Sequence, residues 1–150
     1  MFSVRPAVAD DVTGVRAVAV AAYEVYVPRI GRPPAPMTAD YAQAVREGRV
    51  WVAVENGEPV GFAVLVPQPD HLLLENVAVS PGTQGRGIGT RLLALAEDHA
   101  RRQGVSEVRL YTNEAMTENL AYYARRGYVE THRAEQDGFR RVFFRKAVTP

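Results

Sequence analysis

The pattern of apolar and polar positions predicts short strands that alternate with amphipathic helices. A strand at residues 4–6 comes first, and the helix after it can be capped by Asp10 or Asp11. The apolar residues that recur at helical spacing in this helix are Val12, Val15, Ala19, Ala22 and Tyr26. The prolines within residues 28–36 predict a stiff loop, and Thr38 is positioned to cap a second short helix.

The middle of the chain predicts a hairpin, a central strand and a long helix. Two apolar strands, residues 50–54 and 60–66, flank Asn56-Gly57, a dipeptide that favours the tight turn of a β-hairpin. An apolar run over Leu72–Val79 predicts a buried central strand. The helical period over Ile88–Gln103 predicts a long amphipathic helix that follows this strand.

The last third predicts a further strand, a helix and a closing hairpin. Residues 105–112 are expected to run parallel to the central strand, because a long helix connects the two in a right-handed crossover. A helix around residues 119–126 comes next, and residues 128–133 and 139–146 form the hairpin over Asp137-Gly138. The predicted order of elements is therefore β-α-α-β-β-β-α-β-α-β-β.

The segment that joins the central strand to the long helix is the most informative about chemistry. After the strand, the chain breaks at Pro81-Gly82, passes Gly85, Gly87 and Gly89, and opens the helix. These glycines remove side chains where the free N–H groups of the helix's first turn point outward. Unpaired amides and the positive end of the helix dipole favour an anion, so the segment predicts a ligand with a pyrophosphate.

Two common pyrophosphate motifs do not fit this segment. A P-loop needs a lysine at the position of Ile88, and a dinucleotide-binding turn needs a third glycine at the position of Thr90. What fits is Gln84-x-x-Gly87-x-Gly89, which resembles the acyl-CoA motif of the GCN5-related N-acetyltransferases (the GNAT superfamily). Residues 113–128 resemble the later motif of the same family, an Asn-bearing helix that ends in Tyr-x-x-x-Gly-Phe/Tyr.

Composition limits the function classes. The 150 residues are 47% hydrophobic, which predicts one globular domain over residues 1–150. No apolar run approaches the ~20 residues of a membrane span, and the first residues lack the apolar core of a signal peptide, so we expect a cytoplasmic protein with no membrane partner.

The absence of cysteine excludes disulfides and a cysteine nucleophile. A net charge of +1 gives no support for nucleic-acid binding. The paired arginines are expected on solvated surfaces: Arg101, Arg102, Arg125, Arg126, Arg140 and Arg141.

The resemblance implies an α+β fold with three layers, α/β/α. Its sheet is mixed and mostly antiparallel, with a central pair of parallel strands that splay apart. It also implies acetyl-CoA as the acyl donor and CoA as the product. In this family the pantetheine arm lies along the central strand, here Val77, Ala78 and Val79. The pyrophosphate is held by the amides of Gln84, Gly85, Arg86, Gly87, Ile88, Gly89 and Thr90. Arg86 adds charge near the phosphates or is simply solvated. Asn119 contacts the cofactor, caps its helix or makes a local turn hydrogen bond.

Two residues are candidates for proton transfer. Tyr123 stands four before Gly127, at the position of the family's general acid, with a packed aromatic as the alternative role. Strand alternation places Glu75 on one face with Val77 and Val79, and Leu74 on the other. A carboxylate in this apolar run needs a reason, since an unpaired buried charge is costly. Glu75 is therefore either a general base, acting directly or through water, or a partner in a buried ion pair, and the N–H of Val77 is expected to meet the oxyanion.

The acceptor is the part of the function that the residues specify least. By resemblance, the first helices and their loop form the wall of the acceptor site. The residues here are Tyr23, Tyr26, the segment 28–36 and Met37, although plain packing explains the tyrosines too. We expect transfer to a primary amine of a small molecule or peptide, by direct attack in a ternary complex. A protein lysine or N-terminus as acceptor and a non-catalytic acyl-CoA sensor are the alternatives. No metal is expected, and the resemblance allows a homodimer.

Overall fold

A computed structural model describes residues 1–149, which contain a seven-stranded sheet. The strands are β1 (Ser3–Pro6), β2 (Val50–Glu55), β3 (Glu58–Pro67), β4 (Leu72–Val79), β5 (Glu107–Asn113), β6 (Val129–Gln136) and β7 (Phe139–Ala147). Across the sheet they lie in the order β1-β2-β3-β4-β5-β7-β6. Every neighbouring pair is antiparallel except β4 and β5, which are parallel as predicted.

Helices cover both faces of this sheet. They are α1 (Val12–Tyr23), α2 (Val27–Ile30), α3 (Tyr41–Arg46), α4 (Ile88–Gln103) and α5 (Thr117–Arg125). On one face, Val15 of α1 and Tyr41 of α3 pack with Phe62 of β3 in one hydrophobic cluster. On the other face, Leu92 of α4 and Tyr123 of α5 belong to a second cluster. This three-layer α/β/α arrangement confirms the predicted fold class. Within residues 1–149, none of the helices has the length and apolar composition that crossing a membrane requires.

The start of α1 differs from the expected capping. The helix begins directly after Asp11, whose carboxylate makes no cap hydrogen bond to it. That carboxylate instead accepts hydrogen bonds from the Val8 amide at 2.8 Å and from Arg5 at 2.7 Å. The hydrogen bond from Arg5 lowers the pKa of Asp11. The helix ends at Tyr23, and Tyr26 lies in the short 3₁₀ turn that follows.

The proline-rich segment is not the plain loop that we expected. It begins with α2, a single turn that holds Pro28 at its N-terminus, where the missing N–H costs no intrahelical hydrogen bond. Ala35–Met37 then form a 3₁₀ turn. The expected cap of α3 is also wrong, because Asp40 rather than Thr38 accepts a hydrogen bond from the Gln43 amide, at 3.0 Å.

The parallel strands β4 and β5 separate soon after they begin. Their residue pairs are Leu72 with Val108 and Leu73 with Arg109, and the register continues no further. On its other side, the whole of β5 pairs with β7. A gap therefore opens in the middle of the sheet beyond Leu73.

A β-bulge in β4 lies at the start of this gap. Val64 of β3 pairs with Asn76, but the next residue, Leu65, pairs with Leu74, so Glu75 is an extra residue with no partner in β3.

The bulge changes which side chains share a face. Leu74, Val77 and Val79 all contact the cluster on the α4 face, whereas Ala78 belongs to the cluster on the α1 face. The expected alternation, with Leu74 opposite Val77 and Val79, is therefore wrong. The physical reason is the extra residue, which shifts the two-residue period by one position.

Candidate active site

Two cavities meet where β4 and β5 separate. The large cavity, of about 590 Å³, lies between the start of α4 and the side of α5. The small cavity, of about 120 Å³, lies between the separated strands and the proline-rich segment. Tyr23, Val77 and Tyr123 line both cavities. These three residues therefore form the boundary across which a group in one cavity can reach a group in the other.

The large cavity contains nearly all of the residues predicted to bind the cofactor. Those that line it are Val77, Ala78, Val79, Gln84, Gly85, Gly87, Ile88, Gly89, Thr90, Asn119 and Tyr123. Arg86 is the exception, because its guanidinium pairs with Glu55 at 2.6 Å instead of lining the cavity. Contact between Arg86 and a ligand phosphate stays a prediction.

The glycine turn has the conformation that an anion cradle needs. Gly87, with φ of +84°, is the residue directly before α4, and this left-handed conformation favours glycine. Gly89 lies so close to α5 that a Cβ on it would be 2.7 Å from Oη of Tyr122. The first-turn amides of α4, a helix of 16 residues, lack intrahelical partners and lie at the large cavity. A phosphate group fits this cradle by charge and by space.

The backbone of β4 offers hydrogen-bonding groups to the gap. The Ser80 amide donates to Val60 of β3, and the antiparallel register then directs the N–H and C=O of Val77 and Val79 away from β3. The Tyr23 hydroxyl donates to the Val77 carbonyl at 2.9 Å, and the Gln84 side chain donates to the Val79 carbonyl at 3.4 Å. An extended, amide-rich ligand can therefore lie along this edge.

Tyr123 lies at the boundary of the two cavities. Its side chain is only 7% exposed, and its ring packs at 5.9 Å against both Tyr128 and Phe144. Among residues 1–149 its hydroxyl has no hydrogen-bond partner, although the residue lines both cavities. Burial raises the pKa of Tyr123, so the phenol keeps its proton at neutral pH. This is the protonation state that a proton donor requires.

Glu75 lies in the wall of the small cavity, as the extra residue of the bulge. The residue is half-buried, and within residues 1–149 its carboxylate forms neither an ion pair nor a hydrogen bond. The geometry thus gives no support to the alternative of a buried ion pair. Burial raises the pKa of Tyr41 and of Tyr111, and the Glu75 charge adds to both shifts. These effects indicate that the carboxylate faces the α1 side of the gap.

Asn119 lies inside α5 and does not cap it, because the helix begins at Thr117. Its side-chain amide donates weakly to Oγ1 of Thr112, at 3.5 Å. Because Asn119 also lines the large cavity, contact with a ligand remains the role that its position favours.

The residues predicted for the acceptor side separate into two groups. Tyr23 lines both cavities, and Tyr26 lines the large one, where its hydroxyl lies 3.4 Å from Glu118. Met37 lines neither cavity and packs against the hydrophobic cluster on the α1 face. Contact between Met37 and an acceptor stays a prediction, whereas Pro34 and Pro36 of the predicted acceptor wall line the small cavity.

Three further functional candidates are arginines that the sequence predicts on solvated surfaces. Arg125 and Arg126 line the large cavity. Arg126 stacks on the Tyr122 ring at 3.5 Å, and its Nε is buried with no partner among the described residues. Arg141 is 7% exposed and lines the small cavity. The available signal for Arg141 was strand alternation, which places it on the same face as Phe139.

Comparison with known proteins agrees with this geometry. The profile of the acetyltransferase (GNAT) family matches residues 17–128, which is more than half of the chain. An aminoalkylphosphonate N-acetyltransferase of Salmonella typhimurium is 35% identical over 88 residues, which are 54% of this chain and 56% of that protein. A probable N-acetyltransferase 14 of Xenopus tropicalis is 31% identical over 91 residues, which are 59% of this chain and 44% of that protein. The chain thus spans about half the length of these curated relatives.

Solved structures share the fold over the whole chain. The ribosomal-protein-S18-alanine N-acetyltransferase of Escherichia coli has a TM-score of 0.78 at 20% identity, covering 100% of this chain and 96% of that one. The PaiA N-acetyltransferase of Thermoplasma acidophilum, in complex with coenzyme A, has a TM-score of 0.78 at 15% identity, covering 98% and 99%. At these identities the likeness shows the fold alone. Together with the family match and the glycine turn, it leads to one conclusion: the chain belongs to the acetyltransferase (GNAT) family.

Proposed function

We propose that this protein transfers an acetyl group from acetyl-CoA to a primary amine that binds in the small cavity. The observation that carries the proposal is the meeting of the two cavities at Val77 and Tyr123. One cavity has a cradle for phosphate and a free strand edge, and the other is small and has a carboxylate in its wall. This arrangement suits a direct reaction between two bound ligands.

Acetyl-CoA fits the large cavity by the chemistry of its lining, and it would supply the acetyl group as a thioester. The first-turn amides of α4 would bind its pyrophosphate. The carbonyl of Val77 and the backbone groups of Val79 would pair with its pantetheine arm, in place of the strand that β4 lacks beyond Leu73. Arg126 would bring positive charge to the same cavity.

The side chains of Glu75 and Tyr123 would transfer the protons. Glu75, directly or through water, takes a proton from the acceptor ammonium, which frees the nitrogen lone pair for attack. The N–H of Val77 donates to the carbonyl oxygen that gains charge. Once the N–C bond has formed, the nitrogen would lose its second proton to solvent, and Tyr123 would give its proton to the sulfur as the C–S bond breaks. Glu75 would pass the proton that it took to solvent. The products are an N-acetyl compound and free CoA, and solvent restores the proton of Tyr123.

The first test is thiol release from acetyl-CoA in the presence of amines. Because the chain has no cysteine, every new thiol comes from CoA. The acceptor panel should contain alkylamines, amino acids and short peptides. It should also contain aminoalkylphosphonates, since the Salmonella relative is named for that class.

The role of Tyr123 is tested by Tyr123→Phe. We expect kcat to fall about 10²- to 10⁴-fold with little change in acetyl-CoA affinity, because only the transferable proton is lost. The matched control is Tyr128→Phe, since Tyr128 packs beside Tyr123, lines neither cavity, and has a buried hydroxyl without a partner among residues 1–149. Equal turnover by Tyr123→Phe and the parent protein would refute the assignment. Tight acetyl-CoA binding without transfer to any acceptor would instead favour a sensor.

A further inference from the structure

The small cavity has a buried arginine in its wall. Arg141 is 7% exposed and pairs across the strands with Asn113, at the separated end of β5. Its guanidinium carbon lies 4.5 Å from the centroid of the Tyr111 ring, which also lines the cavity. The Tyr111 ring, together with the Phe139 ring at 5.7 Å, therefore holds the guanidinium in the cavity wall.

The protein itself uses only part of the hydrogen-bonding capacity of Arg141. Nη1 donates to Oε1 of Gln136 at 2.6 Å and lies 3.4 Å from the carboxylate of Asp137, whose side chain is 78% exposed. Among the described residues, Nε and Nη2 have no partner. Neither nitrogen is among the fully buried polar atoms that lack a partner, so both donors keep contact with the solvent in the cavity. An anion in the cavity would satisfy those donors.

The other charged groups around the cavity define where an anion can bind. Arg32 lies over the ring of Phe139, at 3.8 Å from its centroid, and donates to the Asp137 carbonyl at 2.9 Å, so it adds positive charge beside Arg141. Glu75 is the carboxylate among the lining residues and lies on β4, across the gap from Arg141 on β7. The small cavity thus has one carboxylate and one guanidinium in its wall, carried by different strands.

From this arrangement, and resting on the acetyl transfer proposed above, we propose that the acceptor is a small primary amine that carries an anionic group. The ammonium lies toward Glu75 and Tyr123, and the anion binds the free donors of Arg141. An amino acid and an aminoalkylphosphonate share this chemistry. The volume of about 120 Å³ is well below the ~300–1,000 Å³ of typical ligand sites, which favours a compact acceptor over a folded protein.

The test compares acceptors that differ only in the anionic group. The series is L-alanine, 1-aminoethylphosphonate, L-alaninamide and ethylamine, each measured by thiol release from acetyl-CoA. We expect at least one anionic acceptor to exceed both neutral ones by about 10- to 100-fold in kcat/KM, as for a charge-assisted hydrogen-bonded pair. The first two members distinguish a carboxylate from a phosphonate as the preferred anion.

Variants then assign the preference to Arg141. Arg141→Gln should lower kcat/KM for the anionic acceptor by the same factor and leave the neutral acceptors within about twofold. The control is Arg140→Gln, because the neighbouring side chain is 76% exposed and lines neither cavity. The comparison of acceptors in the parent protein stands even where Arg141→Gln fails to fold.

Each other outcome overturns the inference. Equal kcat/KM for neutral and anionic amines in the parent protein would overturn it. An equal loss of kcat/KM for all acceptors in folded Arg141→Gln would overturn it too. Silence with all four acceptors, while acetyl-CoA still raises the Tm, would overturn this inference and leave cofactor binding intact. Absence of acetyl-CoA binding would refute the proposed function as well.

Discussion

Replacing Gly89 by alanine tests how closely the glycine turn is fitted to α5. The new Cβ would lie 2.7 Å from Tyr122 Oη, and contacts closer than 3.4 Å are already tight, so the hydroxyl must retreat by about 0.7 Å. The ring is not free to retreat, because the guanidinium of Arg126 stacks on it at 3.5 Å and Tyr123 packs edge-on at 5.5 Å. Overpacking of this kind costs about 1–3 kcal/mol, and alanine recovers up to ~1 kcal/mol of helix propensity. We therefore expect a net loss of about 0–2 kcal/mol in the free energy of unfolding.

A double-mutant cycle with Tyr122→Phe isolates the steric part of this loss. Without the hydroxyl, the nearest ring atom is Cζ of residue 122, at an ordinary 3.7 Å from the new Cβ. Gly89→Ala should then be neutral or stabilising by up to ~1 kcal/mol. Urea unfolding of the four proteins should give a coupling energy of about 1–3 kcal/mol. If the free-energy changes of the two single variants sum to that of the double variant within ~0.5 kcal/mol, Gly89 and Tyr122 do not make this contact.

Three further outcomes follow from single contacts. Gly87→Ala should lower the free energy of unfolding by about 1–2 kcal/mol, measured in urea, because φ at this residue is +84°. Arg126→Gln should raise the Kd of acetyl-CoA about tenfold by calorimetry, since its guanidinium lines the large cavity; an unchanged Kd would contradict that role. The hydrogen bond from Arg29 lowers the pKa of Glu118 to about 2, so the pair stabilises the fold above about pH 4 and loses this effect as the pH falls toward 2. In Arg29→Gln, NMR titration should show the Glu118 pKa moving back toward ~4.3, and an unmoved pKa would contradict the pair.

Elements with clear boundaries in the sequence could be predicted to the residue. β4 occupies Leu72–Val79 and α4 occupies Ile88–Gln103, as expected, because the apolar period is strong and Pro81 and Gly104 end each pattern sharply. The capping of α3 could not be decided in this way. Thr38 and Asp40 are both good capping residues, and only the path of the chain places Asp40 within reach of the helix amides.

The parts of the site that sequence patterns missed depend on contacts between distant segments. The bulge at Glu75 arises from the register between β3 and β4, and the sequence of β4 alone does not indicate an extra residue. The burial of Arg141 depends on Tyr111 and Gln136 in two other strands. Strand alternation places Arg141 on one face with Phe139, but only the folded chain shows that this face is covered. The cofactor motif was visible because its residues are contiguous, whereas the acceptor side is assembled from several elements.

The short pairing between β4 and β5 has a mechanical consequence. Among residues 1–149, Leu72 and Leu73 are the only residues of β4 that pair with β5, so the two halves of the sheet are joined at one end and separated by an open slot at the other. A ligand that hydrogen-bonds to the backbone of Val77 and Val79 and also contacts α5 would connect β4 to that helix. Amide deuterium exchange in β4 and β5 should therefore slow together when the slot is filled. Because both strands also line the small cavity, a ligand in the large cavity should stabilise the walls of the small one.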